Sequence, residues 1–185
     1  MNVEEAYKHW AAQYDTDLNM TRDLEAVALR ETLQGIAFGH CLEIGCGTGK
    51  NTEWLLTQGK KITAVDLSAD MLAVAKRKIT GEQVQFLQAD ITLPWAFKGD
   101  HFDLMVCSLV LEHIADLAPM FQMMAEHLLP DGILYIGELH PFKQYLGSKA
   151  RFGSGTDQQE IPAFTHHVSE FTHLARLHGL CVMEV

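Results

Sequence analysis

Basic residues are scarce in this chain. Its 185 residues include 14 Lys and Arg against 24 Asp and Glu, a formal charge of -10 with histidine neutral. That balance excludes the positive footprint on which nucleic-acid affinity rests, and an anionic membrane surface would repel it. Long apolar runs are missing as well. The opening MNVEEAYKHWAAQYDTDLNM holds acids and no apolar leader segment, and no stretch has the length of a membrane span. The longest apolar-rich piece, Phe102 to Leu111, has the length of a buried strand. A cytoplasmic protein is the expectation. Cysteine is sparse: Cys41, Cys46, Cys107 and Cys181, with no CxxC pair. Buried free thiols in a reducing compartment fit this usage. A zinc site is the sharper alternative, but no Cys/His cluster follows Cys41 and Cys46 at ligand spacing, and no metal ligand is assigned. Repeats and low-complexity runs are absent too. What is present is ordinary globular material: 48% hydrophobic, 21% charged and 9% aromatic. A chain of this length forms one domain and buries roughly 70% of its unfolded surface.

The middle of the chain alternates strand-like and helix-like segments. Cys41–Ile44 is short, apolar and followed by glycines, and Thr52–Gln58 reads as a helix. Lys61–Val65 is a second strand ending at Asp66. Ser68 is placed to cap a helix whose apolar face is Met71, Leu72, Ala75 and Ile79. Val84–Leu87 and Phe102–Cys107 are further strands. Leu117, Met120, Met124 and Leu128 recur at helical spacing until Pro130-Asp131-Gly132, which reads as a stop, and Ile133–Gly137 is a fifth strand. Ser169 is placed to cap a last helix with Gly179 just past its end, and Leu180–Val185 reads as a sixth strand. Residues 1–40 read as two helices, Val3–Tyr14 and Arg22–Gln34, the second capped by Thr21. Residues 138–168 carry little periodicity, which in a compact domain suggests a lid or binding loop.

Strands apolar throughout, each followed by a helix, imply a parallel sheet covered on both faces, with ligands at the carboxyl ends of the strands. The chemistry-bearing residues follow strands in just this way. Glu43-Ile44-Gly45-Cys46-Gly47-Thr48-Gly49 is a glycine-rich strand-to-helix turn. Alternate glycines permit unusual backbone angles and close approach to a ligand, and the next helix offers free N–H groups to an anion such as a carboxylate. The spacing is GxGxG, with Lys50 where the dinucleotide pattern GxGxxG has its third glycine. Asp66, about 20 residues on, suits the two hydroxyls of a ribose. Leu67 and Met71 could cover a flat purine, although Met71 equally suits a core. Asp90 and Ile91 suit an adenine edge, the carboxylate accepting from its amine. Each of these acids alone is as well explained as a solvated strand end. Together, in order, they point to a nucleoside site.

CLEIGCGTGKNTEWL, ITAVDLSADML, VQFLQAD, FDLMVCSLVLEHI and LLPDGILYIGE resemble the successive motifs of the class I S-adenosylmethionine (SAM) dependent methyltransferases. The resemblance covers about residues 1–140 and, weakly, the final helix and strand. It implies a Rossmann-like, doubly wound, mostly parallel α/β sheet with helices on both faces and strand order 3-2-1-4-5-7-6. It also implies that SAM is the cofactor and S-adenosylhomocysteine (SAH) the product. By motif position, Glu43, Gly45 and Gly47 line the methionine part, Asp66 binds the ribose, and Leu67 flanks the adenine. Asp90 and Ile91 meet the adenine edge, and Ser108 and Leu109 lie near the sulfonium. YKHWAAQYD resembles a helix that closes over the cofactor, which makes Tyr14 a contact and Trp10 a packing residue. The expected organisation is one methyltransferase domain over 1–185. It comprises a helical cap (1–40), a nucleotide-binding core (41–137), an acceptor-site lid (138–168) and the last helix and strand (169–185). Val185 closes strand 6, so strand 7 is missing from this chain. The expectation is a longer native protein, or an edge filled by direct pairing or by another chain.

A sulfonium is an activated donor, so alignment and water exclusion carry much of an in-line displacement. A base is needed where the acceptor still holds its proton. Candidates are Glu112, His113, Glu138, His140, Tyr145, His166 and His167. His140 is placed first, as it follows strand 5, with His113 and Tyr145 beside it. Each also has a plain structural explanation. The lid offers Phe142, Tyr145 and Phe152 as apolar walls, and Lys143, Lys149 and Arg151 as charges for an anionic acceptor. Small-molecule methyl transfer is the leading function, with a non-catalytic SAM-binding module as the rival and a homodimer allowed. The glycine spacing, and the lack of a Tyr-x-x-x-Lys helix, disfavour a dinucleotide oxidoreductase. Cys107-Ser108-Leu109-Val110 stands where nucleic-acid methyltransferases carry an Asn/Asp-Pro-Pro-Tyr/Phe-like motif.

Overall fold

The computed structural model describes residues 7, 11, 14–16, 18–95, 97, 101–148, 151–152 and 159–185. Its centre is a five-stranded parallel sheet in the order β3-β2-β1-β4-β5. The strands are β1 (Phe38–Ile44), β2 (Gly59–Asp66), β3 (Val84–Gln88), β4 (Phe102–Ser108) and β5 (Leu128–Gly137). Register is continuous from β2 through β1 to β4: Ile44 lies beside Val65 on one side and Cys107 on the other.

Side chains alternate across each strand, and both faces are apolar. Leu104 and Val106 join Cys41, Ile62 and Ala64 in a core with Leu29, Leu33, Leu55 and Leu72. Met105 and Cys107 point the other way, into a core with Leu42, Ile44, Phe121, Met124 and Leu174. A strand buried on both faces has no polar side, which is why β4 reads as an unbroken apolar run. The helices covering these faces are α1 (Met20–Leu33), α2 (Lys50–Gln58), α3 (Ala69–Lys78), α4 (Ala118–His127) and α6 (Val168–Leu177). Among the described residues, no helix is long and apolar enough to cross a membrane.

Several local expectations are corrected. Helix α1 begins at Met20, and its cap is Asn19 rather than Thr21: the Asn19 Oδ1 accepts the Arg22 N–H at 3.0 Å. Both residue types cap well, so the sequence left them equivalent. Ser68 caps α3 as expected, accepting the Met71 N–H at 3.2 Å. Helix α4 ends before Pro130-Asp131-Gly132, because Leu128 already pairs with Phe102. The Pro-Asp-Gly triplet sits inside β5, where the register shifts and Asp131 adopts φ 64°. Helix α6 is preceded by His167, with no side-chain cap from Ser169. Its far end is a Schellman closure: the Leu180 N–H reaches the Ala175 carbonyl at 2.9 Å, the Gly179 N–H reaches Arg176 at 3.1 Å, and Gly179 has φ 79°.

The expected sixth strand does not form. Leu180–Val185 has no regular structure, and β5 is the sheet edge among the described residues. Only Leu180 of that segment packs against the core, while Met183 and Val185 are exposed. The apolar composition of this segment signalled a strand, but it pairs with no strand among the described residues. The segment 138–168 is also less irregular than its sequence suggests. His140 caps a short helix α5 (Pro141–Tyr145), with proline at its start as helix geometry favours. Arg151–Phe152 and Gln159–Glu160 form a small antiparallel ribbon, β6 and β7. Of the expected helix Val3–Tyr14, only Tyr7, Ala11 and Tyr14 are described; Trp10, Lys149, Gly153 and Gly155 lie outside the described residues.

Candidate functional site

Gly45, Gly47 and Gly49 all adopt the left-handed conformation, with φ of 72°, 53° and 84°. Their surroundings differ. A Cβ on Gly45 would lie 2.2 Å from Val110 Cγ2, and one on Gly49 would lie 2.7 Å from Ile79 Cδ1. Among the described residues, a Cβ on Gly47 would meet only the Tyr14 ring, 4.0 Å away. Two of the glycines therefore admit close packing, and Gly47 faces the space roofed by Tyr14. The turn is held from β2: the Gly45 and Cys46 N–H groups donate to the Val65 carbonyl at 2.9 and 3.0 Å. Asp66 completes the hold. Its Oδ2 accepts the Gly47 N–H and its Oδ1 the Ser68 N–H, each at 2.8 Å. Burial pushes the Asp66 carboxyl up, while those two N–H groups pull it down. Helix α2 starts at Gly49 with no side-chain cap. Its first-turn N–H groups thus receive no capping side chain from Gly49.

The N-terminal residues lie across this turn. Arg22 stacks on the Tyr14 ring, 4.8 Å from its centroid, and donates to the Tyr14 carbonyl. Asp15 accepts from the Thr48 hydroxyl at 2.5 Å and pairs with Lys78 at 2.7 Å. Burial raises the Asp15 carboxyl, but the Lys78 and Thr48 bonds outweigh it and hold the group low. Burial pushes the Tyr14 phenol up to about 12. Met71 is wholly buried with Ala11 and Ile161, beside Tyr7 and Tyr14, so it sits in a small core joining cap, α3 and the 138–168 segment. Leu67 and Ile91 are half-buried after β2 and β3. Asp90 is exposed; its Oδ1 accepts both the Thr92 N–H (2.9 Å) and hydroxyl (2.6 Å), and its Oδ2 carries no bond among the described residues.

At the ends of β4 and β5 the backbone is strained. Leu109 adopts φ 56°, unusual for a residue with a Cβ, and its N–H donates to the Gly137 carbonyl at 2.7 Å. The next residues form a 3-10 turn, Leu111–His113, that presents Glu112 and His113. His113 is engaged at both ring nitrogens: Nε2 lies 3.0 Å from the Tyr7 hydroxyl and Nδ1 2.8 Å from the Pro162 carbonyl. A carbonyl only accepts, so these partners assign the proton to Nδ1 and leave the Nε2 lone pair to the Tyr7 O–H. Tyr145 is half-exposed and bonds the His167 ring (2.7 Å to Nε2). His140, placed first as a base, is exposed, and its Nδ1 accepts the Phe142 N–H at 3.2 Å to cap α5. His166 is buried, with Nε2 2.8 Å from the Ile114 carbonyl and Nδ1 3.1 Å from Glu170. The structure therefore brings His113, Tyr7 and Tyr14 together over the strand ends and gives His140, His166 and Tyr145 peripheral bonds.

Three buried carboxyls complete the site. Glu43, 3% exposed, accepts the Thr52 hydroxyl at 2.5 Å and is pushed by burial up to about 8. Glu138 is likewise pushed by burial up to about 8. Its Oε1 accepts the Val110 and Leu111 N–H groups at 2.9 and 2.7 Å. Glu25, from α1, was missed by sequence reasoning. It accepts from the hydroxyls of Ser108 (2.6 Å) and Tyr135 (3.3 Å), and burial raises it. Ser108, expected near a sulfonium, thus spends its hydroxyl on Glu25. None of these three acids is in an ion pair with Lys or Arg among the described residues.

A family model described as a methyltransferase domain matches residues 42–136, from inside β1 to the end of β5. The chain belongs to this methyltransferase family. Curated relatives include the ubiquinone biosynthesis O-methyltransferases of Coxiella burnetii (strain Dugway 5J108-111), 29% identical, and of Xanthomonas euvesicatoria pv. vesicatoria (strain 85-10), 30% identical. The matches cover 83% and 86% of this chain and 64% and 66% of those proteins. The chain therefore spans about two thirds of the length of these relatives. Among solved structures, the DhpI-SAM-HEP complex is similar with a TM-score of 0.76 at 23% identity, covering 95% of this chain and 86% of that one. The N-methyltransferase NodS from Bradyrhizobium japonicum WM9, in complex with SAH, is similar with a TM-score of 0.71 at 21% identity and the same two coverages. These structural likenesses show that the methyltransferase fold is shared.

Proposed function

We propose that the chain binds SAM at the carboxyl ends of β1 to β4 and transfers its methyl group to a small-molecule acceptor in the cytoplasm, as a monomer or homodimer. The observation that carries this reading is Gly47, left-handed, held by Asp66, and open toward the space beside the Tyr14 ring. The surrounding residues fit the donor. A methionine carboxylate suits the uncapped first turn of α2. The buried carboxyls of Glu43, Glu25 and Glu138, in no ion pair with Lys or Arg among the described residues, suit a ligand that brings positive charge. Asp66 retains lone pairs for ribose hydroxyls beyond its two backbone bonds, Leu67 and Ile91 offer apolar flanks to a purine, and the free Asp90 oxygen suits its amine. When bound, SAM supplies a methyl group already activated by its sulfonium.

His113 is the proposed base. In the Nδ1–H tautomer its Nε2 takes a proton from an acceptor hydroxyl or amine that displaces the Tyr7 phenol. The Pro162 carbonyl fixes the ring plane and stabilises the imidazolium that results. Tyr7, Tyr14 and Ile161 close the apolar side and exclude water, and 138–168 acts as the acceptor-site lid. The curated relatives named for O-methylation favour a hydroxyl acceptor.

Calorimetric titration with SAM and SAH tests donor binding. A panel of phenols, carboxylic acids and amines, read by SAH release, tests transfer. Saturable SAM binding together with acceptor-dependent SAH release is expected. Binding without release from any acceptor would favour the non-catalytic module, and no binding would overturn the reading.

A further inference from the structure

Glu138 ties the end of β5 to the loop that follows β4. It follows β5 directly, and its Oε1 collects the N–H groups of Val110 and Leu111. Those bonds pin the loop that begins at the strained Leu109 and ends at His113. Its second oxygen, Oε2, is fully buried and has no hydrogen-bond partner among the described residues. A buried carboxyl oxygen without a partner is costly, and native proteins satisfy nearly all such atoms. The loop that Glu138 holds is the one the sequence resemblance sets beside the sulfonium, through Ser108 and Leu109.

We infer, on the reading that SAM is the donor, that Glu138 is the residue that discriminates the charged donor from the neutral product, through the buried, unpartnered Oε2 beside the loop after β4. The groups that face it support this role. Glu112 of the 3-10 turn adds a like charge and helps hold Glu138 protonated. Tyr7 of the cap and Cys107 of β4 both feel the Glu138 charge and are themselves wholly protonated, raised by burial. Glu25, which also acts on Cys107, is a further raised carboxyl. No cation among the described residues pairs with Glu138, so in the free protein the group stays neutral near neutrality. A sulfonium favours its ionised form, and binding the donor then releases a proton. SAH has lost that charge with the methyl group and gives Glu138 no reason to ionise. Transfer thus returns the site to the protonated state and loosens its hold on the product.

The test compares SAM and SAH, which differ at the sulfur alone. Their affinity ratio cancels the titration of Glu43 and of the shared amino acid end. In the wild-type protein the preference for SAM should grow by about tenfold between about pH 6.5 and about pH 8.5, as a carboxyl near 8 ionises. Calorimetry in two buffers of different ionisation enthalpy should show proton release with SAM and less with SAH. In Glu138→Gln, whose carbonyl still accepts from Val110 and Leu111, the SAM to SAH ratio should become flat with pH, with SAH affinity within about threefold of wild type. Glu43→Gln serves as the control and should shift both ligands alike. A pH-independent ratio in the wild type overturns the inference, as does a Glu138→Gln ratio that keeps the wild-type slope. Equal proton release with both ligands overturns it too, and does so without any variant. Failure of the wild-type protein to bind either ligand instead overturns the SAM reading itself.

Discussion

At the ends of β1 to β3, the acids that follow or close each strand make polar contacts that are short in sequence. Asp66 holds the N–H of Gly47, 19 residues away, and that of Ser68, two residues away. Glu43 meets Thr52 within nine residues, and Asp90 meets Thr92 within two. Around β4 and β5 three side-chain contacts span the chain: Glu25 to Ser108 over 83 residues, Glu25 to Tyr135 over 110, and Tyr7 to His113 over 106. The proposed donor side is thus marked by glycines and strand-end acids, which short motifs specify. The proposed acceptor side draws on distant segments. Such a division lets acceptor chemistry change by loop substitution while the donor cradle stays the same.

Gly47→Val gives the harshest test of the donor half. A branched residue at φ 53° costs about 1–2 kcal/mol in backbone strain, and its side chain fills the space under Tyr14. SAM binding should fall below detection by calorimetry, with a modest drop in thermal stability; near-normal affinity would reduce the turn to a connector. On the acceptor half, His113→Ala should lower turnover on an accepted substrate by roughly a hundredfold or more and leave SAM affinity nearly unchanged. Equal losses in turnover and donor affinity would erase the distinction between the two halves. The smallest expected effect is that of Asp66→Ala, a loss of roughly 1.5–3 kcal/mol in SAM affinity. Asp66→Asn should recover little of it, since an amide nitrogen aimed at the Gly47 or Ser68 N–H repels. Full recovery by Asn would mean that the carboxylate contributes shape alone.

The same division explains what the sequence made legible. Five strands, their parallel arrangement and the glycine turn follow from apolar runs and strand-end residues, because a doubly covered sheet leaves no polar positions within its strands; the strand order came from the family resemblance. Asp66 was recognisable as a strand-end acid, although its two backbone bonds were not. Glu25 was illegible: on α1, a buried acid looks the same in sequence as the exposed Glu31 of the same helix. His140 outranked His113 on proximity to β5, but the proline after it makes it a helix cap. Leu180–Val185 misled because apolar residues predict burial of some kind, whereas a strand also requires a partner.

The two bonds on His113 join it to Tyr7, 106 residues before it, and to Pro162, 49 residues after it. Loop closure over such spans comes late, once the local strand–helix units have paid their own ordering entropy. During synthesis the sheet can take shape while His113 still lacks its second partner, because Pro162 emerges after every core strand. The proposed nucleotide cradle therefore matures before the proposed base does. On that reading a newly made molecule acquires the means to hold its donor first and the means to use it last.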